Sequence, residues 1–192
     1  MIKLKKKFII SFMGIDGAGK TTLAKKLQKT IKNSKYLHLK PYIILLDRRT
    51  IVRNPHLQKK NSFILSFAKL LGWLLSYKFF FYKNRCKIFF IFDRYAHDIL
   101  IDPLRYRHNL SKKFTKIILN FFPKPDLWIF LKPSLKTVKS RKIELPDNEL
   151  NRQSEEYMEF FKNQKNVIIL NTNLKKKKLI DLISKKILTL VI

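Results

Sequence analysis

Cysteine, glycine and acidic residues are all scarce in this chain of 192 residues. The single cysteine, Cys86, excludes an internal disulfide framework and is typical of a protein kept in a reducing compartment. We therefore expect a cytoplasmic protein in which Cys86 is a small buried apolar side chain beside a strand rather than a reactive thiol. Only 13 residues are acidic against 42 that are basic, which gives a formal net charge of +29.

The excess of basic residues predicts an affinity for polyanions of every kind, such as nucleotides, nucleic acid or an acidic membrane surface. The lysines are spread along the whole chain, however, and lysine, isoleucine, asparagine and phenylalanine are all abundant. This pattern indicates compositional drift, and it favours a solvated basic surface over a specific nucleic-acid site. With 46% hydrophobic residues, the chain is typical of a globular protein rather than a disordered polycation.

Two apolar stretches could be mistaken for membrane signals. The first, MIKLKKKFIISFMG, has a basic and an apolar region but no small-residue cleavage site, so a buried first strand is the better interpretation. The second, residues 63–82, is almost as long as a membrane span, but Lys69 and Lys78 interrupt it and Gly72 lies near its middle. We expect a core helix and no transmembrane segment, while peripheral membrane contact stays open.

Short apolar runs alternate with longer periodic ones along the chain, with no internal repeat and no linker rich in Pro, Gly or Ser. This alternation predicts an α/β fold in one domain over residues 1–192: a five-stranded parallel sheet flanked by helices on both faces. The predicted strands are Phe8–Met13, Tyr36–Leu39, Ile88–Phe92, Asp126–Leu131 and Val167–Leu170. The predicted helices are Thr21–Ile31, Ser62–Tyr82, Lys112–Phe121, Leu135–Lys142, Asn151–Asn163 and Lys175–Leu190. In such a sheet the ligand binds beyond the carboxyl ends of the strands.

Three of the four glycines lie together in GIDGAGKT, residues 14–21, between the first predicted strand and the first predicted helix. This stretch fits G-x-x-x-x-G-K-[ST] in the strand–loop–helix context that a P-loop requires. Its backbone N–H groups and the helix N-terminus can bind phosphate oxygens, while Lys20 can reach the β- and γ-phosphates and Thr21 can ligate Mg²⁺. The predicted ATP-binding residues are Gly14, Gly17, Ala18, Gly19, Lys20, Thr21 and Thr22.

A P-loop alone does not distinguish a switch GTPase, an ATPase motor and a small-molecule kinase. The sequence contains no motif like Asn-Lys-x-Asp that would bind guanine, and 192 residues leave little room for motor machinery. The third predicted strand ends in IFFIFDRY, which places Asp93, Arg94 and Tyr95 at its carboxyl end, next to the P-loop.

Together, FMGIDGAGKTT and IFFIFDRY resemble the thymidylate kinases and their wider group of nucleoside-monophosphate kinase-like proteins. KPDLWIFLKPSLKTVKSRK and the following ELPDNELNRQSEEY resemble the fourth strand, helix and lid of that family, and FDRYAHDILIDPLRYR resembles a divergent branch of it. The resemblance implies a P-loop kinase fold, a lid at about residues 141–153, Mg²⁺ as cofactor with ATP as phosphoryl donor, and the homodimer that the family often forms.

The resemblance also implies roles for single residues. Asp16 matches a residue that meets the sugar hydroxyl of the acceptor nucleotide, Asp93 one that helps to hold Mg²⁺, and Arg94 one that lies between the donor and acceptor phosphates. The lid should supply a further arginine, for which Arg141 is expected, with Lys142 and Arg152 as alternatives. The implied catalytic residues are thus Lys20, Arg94 and Arg141, the acceptor-binding residues Asp16, Lys40, Arg94 and Tyr95, and the metal ligands Thr21 and Asp93.

The acceptor is the part of the prediction that the sequence restricts least. Where thymidylate kinases carry Arg-Glu-Pro after the second strand, this chain has LHLKPY, with Lys40-Pro41 but no arginine or glutamate. The resemblance implies phosphoryl transfer to a small nucleoside monophosphate, dTMP first, and no specific nucleic-acid partner. The alternatives are a kinase acting on a nucleoside or on a non-nucleotide sugar or saccharide, and a nucleic-acid-binding P-loop protein without kinase activity.

Overall fold

The computed structural model describes residues 7–39, 59–84, 86–133 and 146–191. They form five strands and five α-helices, numbered here in chain order. The strands are β1 (Phe8–Met13), β2 (Ser34–His38), β3 (Phe89–Asp93), β4 (Leu127–Lys132) and β5 (Val167–Asn171). The helices are α1 (Lys20–Thr30), α2 (Phe63–Lys83), α3 (Lys112–Leu119), α4 (Asp147–Lys162) and α5 (Lys176–Val191). A 3-10 helix, Ala96–Leu100, follows β3.

All strand pairs are parallel, and the strand order is β2-β3-β1-β4-β5. Every residue of β1 (FIISFM) is buried, as a central strand covered on both faces requires. From β1 the chain builds β2 and β3 on one side of it and later β4 and β5 on the other. The carboxyl end of β1 is therefore the point where strand order reverses, and the predicted P-loop begins there.

Aromatic side chains hold two helices against one face of the sheet. Phe90 of β3 and Phe130 of β4 share this face by register. Phe81 of α2 lies 4.8 Å from Phe90, and Phe161 of α4 lies 5.2 Å from Phe130, measured between ring centroids. Helices α1 and α5, which contact each other, cover the opposite face. The predicted α/β fold with a five-stranded parallel sheet is confirmed.

Helix α2 has one buried and one exposed apolar face. Its buried residues include Leu70, Trp73, Tyr77 and Phe81, which pack into the core as expected. Its exposed residues include Phe63, Ile64, Leu65, Leu71, Leu75, Phe79 and Tyr82. Within the described ranges, α2 is the one helix long and apolar enough to cross a membrane, and only 22% of its apolar window is buried. Core packing thus accounts for one face of α2 and leaves the other exposed.

The predicted elements differ from the observed ones mainly at their ends. Helix α4 begins at Asp147 rather than Asn151, because Asp147 and Glu149 place negative charge at the helix N-terminus. Strand β2 begins at Ser34 rather than Tyr36: it pairs only with β3, and an edge strand accommodates polar residues. The 3-10 helix was not predicted. The expectation of a buried Cys86 was wrong: Cys86 is exposed, because it lies in the turn between α2 and β3 rather than within either element. The predicted helix Leu135–Lys142 lies outside the described residues.

Candidate active site

The P-loop follows β1 and requires glycine at two positions. Gly14 has a φ of 142°, and a Cβ atom there would lie 2.6 Å from the backbone carbonyl oxygen of Leu131, so the loop passes directly against β4. Gly19 is the N-cap of α1 with a φ of 88°, a left-handed conformation that glycine adopts without steric cost. These two glycines place the loop between the ends of two strands and the start of a helix.

Lys20 is buried inside this loop. Its ammonium donates to the carbonyl oxygens of Gly14 at 2.8 Å and Ile15 at 2.7 Å, and it lies 3.8 Å from the carboxylate of Asp16. Burial, reinforced by the positive charge of Arg94, lowers the pKa of Lys20 to about 7, although the carboxylates of Asp16, Asp98 and Asp93 act in the opposite direction. Asp16 neutralises this buried ammonium only in part. A phosphate group bound in the loop would supply the remaining counter-charge.

Asp93 ends β3 and joins the P-loop to the edge of the sheet. Its Oδ2 accepts hydrogen bonds from the hydroxyls of Thr21 at 2.5 Å and Tyr36 at 3.0 Å, and lies 3.2 Å from Nδ1 of His38. Burial by itself would raise the pKa of Asp93, but the hydrogen bonds of His38 and Thr21 outweigh burial and lower it. Its Oδ1 is buried and has no hydrogen-bond partner among the residues that the structure describes.

Thr21 and Asp93 fit the predicted role of magnesium ligands. A hydroxyl oxygen and a buried, unpaired carboxylate oxygen are the hard donors that Mg²⁺ prefers, and Mg²⁺ usually keeps waters and binds substrate phosphates as well. Over residues 7–39, 59–84, 86–133 and 146–191 there is no group of three or more His, Cys, Asp and Glu side chains that could hold a metal alone. The donor set suits a metal that shares its coordination with a bound nucleotide.

Two arginines bind the carboxylate of Asp16, one on each oxygen. Nη2 of Arg94 donates to Oδ1, and Nη1 of Arg105 donates to Oδ2. Burial alone would raise the pKa of Asp16, but the charges of Arg94, Lys20 and Arg105 hold it well below its usual range. Asp16 is therefore a carboxylate that remains ionised and joins three cations beside the P-loop.

Arg94 is held on its other side by Asp98. Nη1 of Arg94 donates to the fully buried carboxylate of Asp98, which also accepts hydrogen bonds from the hydroxyls of Tyr106, at 2.7 Å, and Tyr157. Burial lowers the pKa of Arg94, but Asp98 and Asp16 more than offset this effect, so the guanidinium stays charged. Arg94 is thereby fixed between two carboxylates, with 5% of its side chain exposed.

These groups border one cavity of about 510 Å³. It is lined by most of the predicted site residues: Asp16, Gly17, Ala18, Gly19, Lys20, Thr21, Thr22, Asp93 and Arg94. Gly14 shapes the loop behind them. Lys40, Arg141 and Lys142 lie outside the described residues. Arg152, the alternative lid residue, lies within α4, where its guanidinium donates to Glu149 at 2.7 Å and to the carbonyl oxygen of Ile101 at 3.0 Å.

Tyr95 does not fit its expected acceptor-binding role. It is fully buried, its hydroxyl donates to the carbonyl oxygen of Pro123, and its ring packs 5.0 Å from those of Tyr77 and Phe92. The reason lies in the preceding residue, Arg94, whose φ of 73° turns the chain. Arg94 reaches the cavity and Tyr95 points into the core.

Sequence reasoning missed six residues that line the cavity: Leu23, His38, Arg105, Thr172, Lys176 and Leu179. His38 ends β2 and Thr172 follows β5, so the rule that ligands bind at the carboxyl ends of strands could have identified both. Arg105 and Lys176 could not be singled out among 42 basic residues. Leu179 belongs to the periodic apolar face of α5, which the sequence presents as core.

No family model matches the chain. Its sequence is 32% identical over 134 residues to a probable thymidylate kinase from Sulfurisphaera tokodaii, and the match covers 64% of this chain and 61% of that relative. The chain thus spans about 61% of the length of this curated relative. The sequence similarity agrees with the resemblance that the P-loop and the Asp-Arg-Tyr motif suggested.

Solved structures share the fold over nearly the whole chain. The thymidylate kinase from Candida albicans superposes with a TM-score of 0.65 and 18% identity, covering 95% of this chain and 92% of its own. Deoxyadenosine kinase from M. mycoides superposes with a TM-score of 0.62 and 19% identity, covering 95% of this chain and all of its own. At such identities the structural similarity establishes the common fold.

Proposed function

We propose that this chain is a thymidylate kinase-like enzyme that transfers a phosphoryl group from ATP to a nucleoside monophosphate, with dTMP as the first acceptor to test. The observation that carries the proposal is the convergence of three features on one cavity: the P-loop lysine, the Thr21–Asp93 pair and the guanidinium of Arg94. Phosphoryl transfer needs alignment and positive charge more than covalent help from the protein, and these groups supply both.

The donor phosphates would bind to the loop from Gly14 to Thr21. Its backbone N–H groups and the N-terminus of α1 favour negative charge, and Lys20 can exchange its hydrogen bonds to the loop carbonyls for bonds to phosphate oxygens. Thr21 and Asp93 would hold Mg²⁺, which when bound neutralises charge on the phosphates. Arg94, fixed by Asp16 and Asp98, would donate to the group in transfer.

A non-nucleotide acceptor such as a sugar phosphate is the second candidate. The family resemblance assigns Asp16 to the sugar hydroxyl of the acceptor nucleotide, yet both of its carboxylate oxygens bind arginines. A nucleoside, which the name of the M. mycoides neighbour suggests, is a further candidate to be tested with the others. The acceptor panel below separates all three.

The test is acceptor-dependent ADP formation with ATP and Mg²⁺, using dTMP, other nucleoside monophosphates, thymidine and sugar phosphates. We expect the highest kcat/KM with dTMP.

Lys20→Ala should lower turnover by about 10²–10³-fold, because it removes one preorganised charge at the phosphates. Circular dichroism should show that the variant stays folded. Lys26→Ala is the matched control, since Lys26 is exposed on the same helix. Near-normal turnover by folded Lys20→Ala, or no stimulation by any acceptor, would overturn the proposal.

Further expectations about the whole protein belong to the same proposal. We propose one domain over residues 1–192, a lid at about residues 141–153 with Arg141 as its catalytic arginine, a cytoplasmic location and a homodimer. The exposed apolar face of α2 supports the dimer, since contiguous apolar surface of this kind often marks an interface. Analytical ultracentrifugation over a range of protein concentrations tests it, and a single monomeric species throughout would contradict it.

A further inference from the structure

We propose that Arg105 binds the anionic group of the acceptor together with Arg94, and that Asp16 positions the two guanidiniums for this purpose. The inference rests on the proposed function and names the property of the acceptor that this site recognises: a phosphate monoester rather than a neutral nucleoside. Arg105 lies in the stretch FDRYAHDILIDPLRYR, but the sequence assigned it no role; the fold brings it from a loop after the 3-10 helix to the wall of the cavity.

The geometry at Asp16 makes Arg105 the accessible member of the pair. Arg94 is 5% exposed and is fixed on both sides by carboxylates, whereas 23% of the Arg105 side chain is exposed and it lines the cavity. Arginine has five N–H donors in a planar fork that matches phosphate geometry. Among the residues that the structure describes, only Nη1 of Arg105 has a side-chain partner, so donors are left for a ligand.

The charges beside the P-loop also favour an anion. Lys20, Arg94 and Arg105 all pair with the carboxylate of Asp16, and Arg94 also pairs with Asp98. Asp93 acts on Lys20 as well, but its Oδ2 is engaged by Thr21, Tyr36 and His38. An anionic ligand beside Asp16 would meet the guanidiniums of Arg94 and Arg105, and charge-assisted hydrogen bonds from them would stabilise it.

Arg105 also supplies a guanidinium that is missing from the stretch after the second strand. The stretch LHLKPY carries no arginine where the thymidylate kinases have Arg-Glu-Pro. Arg105 reaches the cavity from another part of the chain, and Asp16, with one oxygen on each guanidinium, sets the two forks side by side. In this arrangement Asp16 acts on the acceptor through the two arginines that it positions.

The test measures anion binding without turnover. The P-loop is saturated with Mg²⁺ and β,γ-imido ATP, and inorganic phosphate is titrated as the probe, with binding followed by isothermal titration calorimetry. Arg105→Gln should weaken phosphate binding by about tenfold to a hundredfold, because charge-assisted hydrogen bonds are lost. Arg105→Lys, which keeps the charge and loses the fork, should fall in between. Asp16→Asn should also weaken phosphate binding, because the two guanidiniums lose the carboxylate that positions them.

The matched control is Arg107→Gln, which removes the same charge two residues away; Arg107 donates instead to the carbonyl oxygen of Lys59. It should bind phosphate like the native protein. The inference is overturned if the native protein binds no phosphate, if Arg105→Gln binds as well as the native protein, or if Arg107→Gln loses as much. Because no reaction is measured, a failed acceptor panel would refute the proposed kinase activity and leave this result standing.

Discussion

His97 shows how strongly the core constrains a single titratable group. Its ring lies 5.3 Å from that of Trp128 and 5.9 Å from that of Phe160, and its Nδ1 has no hydrogen-bond partner in the described part of the chain. Burial and the positive charge of Lys124 together lower the pKa of His97 to about 3, with burial the larger cause. The folded protein therefore keeps His97 neutral in mildly acidic solution.

This burial predicts an acid dependence of stability. An unfolded histidine binds a proton below about pH 6.5, whereas folded His97 stays neutral down to about pH 3, so the unfolded state binds more protons in between. Between about pH 6.5 and pH 3, protonation of His97 in the unfolded state lowers the free energy of unfolding by up to about 1.4 kcal/mol per pH unit as pH falls. Above about pH 6.5 this effect is absent. His97→Phe should therefore flatten the curve of unfolding free energy against pH, measured by urea denaturation.

The matched control for this prediction is Phe160→Leu, which alters the packing around His97 without removing a titrating group. It should lower the unfolding free energy by a similar amount at every pH and leave the slope as in the native protein. If His97→Phe showed the native slope between about pH 4.5 and 6.5, the burial argument for His97 would be wrong.

Single residues differ in how far the sequence could predict their place. Lys20 and Thr21 were placed by the P-loop pattern, and Asp93 by its position at the end of an apolar strand; all three line the cavity. Tyr95 was misplaced because sequence proximity does not reveal the left-handed backbone of the preceding residue. Arg105 was missed because its role depends on a loop that folds back against Asp16, a contact 89 residues apart in the sequence.

At the scale of elements, apolar runs with a clear period were the predictable part. All five strands were found, because a parallel sheet covered on both faces demands continuous apolar runs. The 3-10 helix Ala96–Leu100 was not found, since five residues are too few to show a period. Its residue Asp98 is nevertheless the anchor of Arg94. A short irregular segment thus carries a residue that organises the site.

The turn between β1 and α1 supports an element-scale prediction. Gly14→Ala should lower the unfolding free energy by about 1–3 kcal/mol and weaken nucleotide binding. The added Cβ would meet the Leu131 carbonyl oxygen at 2.6 Å, and the φ of 142° is strained for any side chain. Urea denaturation and titration with Mg²⁺-bound ADP measure the two effects.

Gly72→Ala in α2 is the matched control for this change, because a Cβ there meets nothing within 4 Å. It should not lower stability, and alanine is the better helix former. A Gly14→Ala variant that keeps native stability and nucleotide affinity would show that the loop can move away from β4 without cost.

For the whole molecule, the dominant property is the net charge of +29. With 13 acidic residues, of which Asp16, Asp93 and Asp98 are engaged at the site, most of the 42 basic residues cannot have an acidic partner. Exposed ion pairs such as Lys112–Glu156 and Lys162–Glu159 contribute little in water. The surface therefore carries a diffuse positive field that attracts any polyanion.

This field predicts nucleic-acid binding that is weak, independent of sequence and steeply dependent on salt. Dispersed lysines neutralise phosphates and release counterions, so the logarithm of the binding constant should fall linearly with the logarithm of the salt concentration. Fluorescence anisotropy with two single-stranded DNA oligonucleotides of equal length and different sequence should give equal affinities at every salt concentration. Exposed lysines can be removed from three different helices by Lys26→Ala, Lys113→Ala and Lys185→Ala. Each variant should show the same small loss of DNA affinity. Strong preference for one oligonucleotide at about 0.15 M salt, or loss of binding in only one of the variants, would instead reveal a localised site and favour the nucleic-acid-binding alternative.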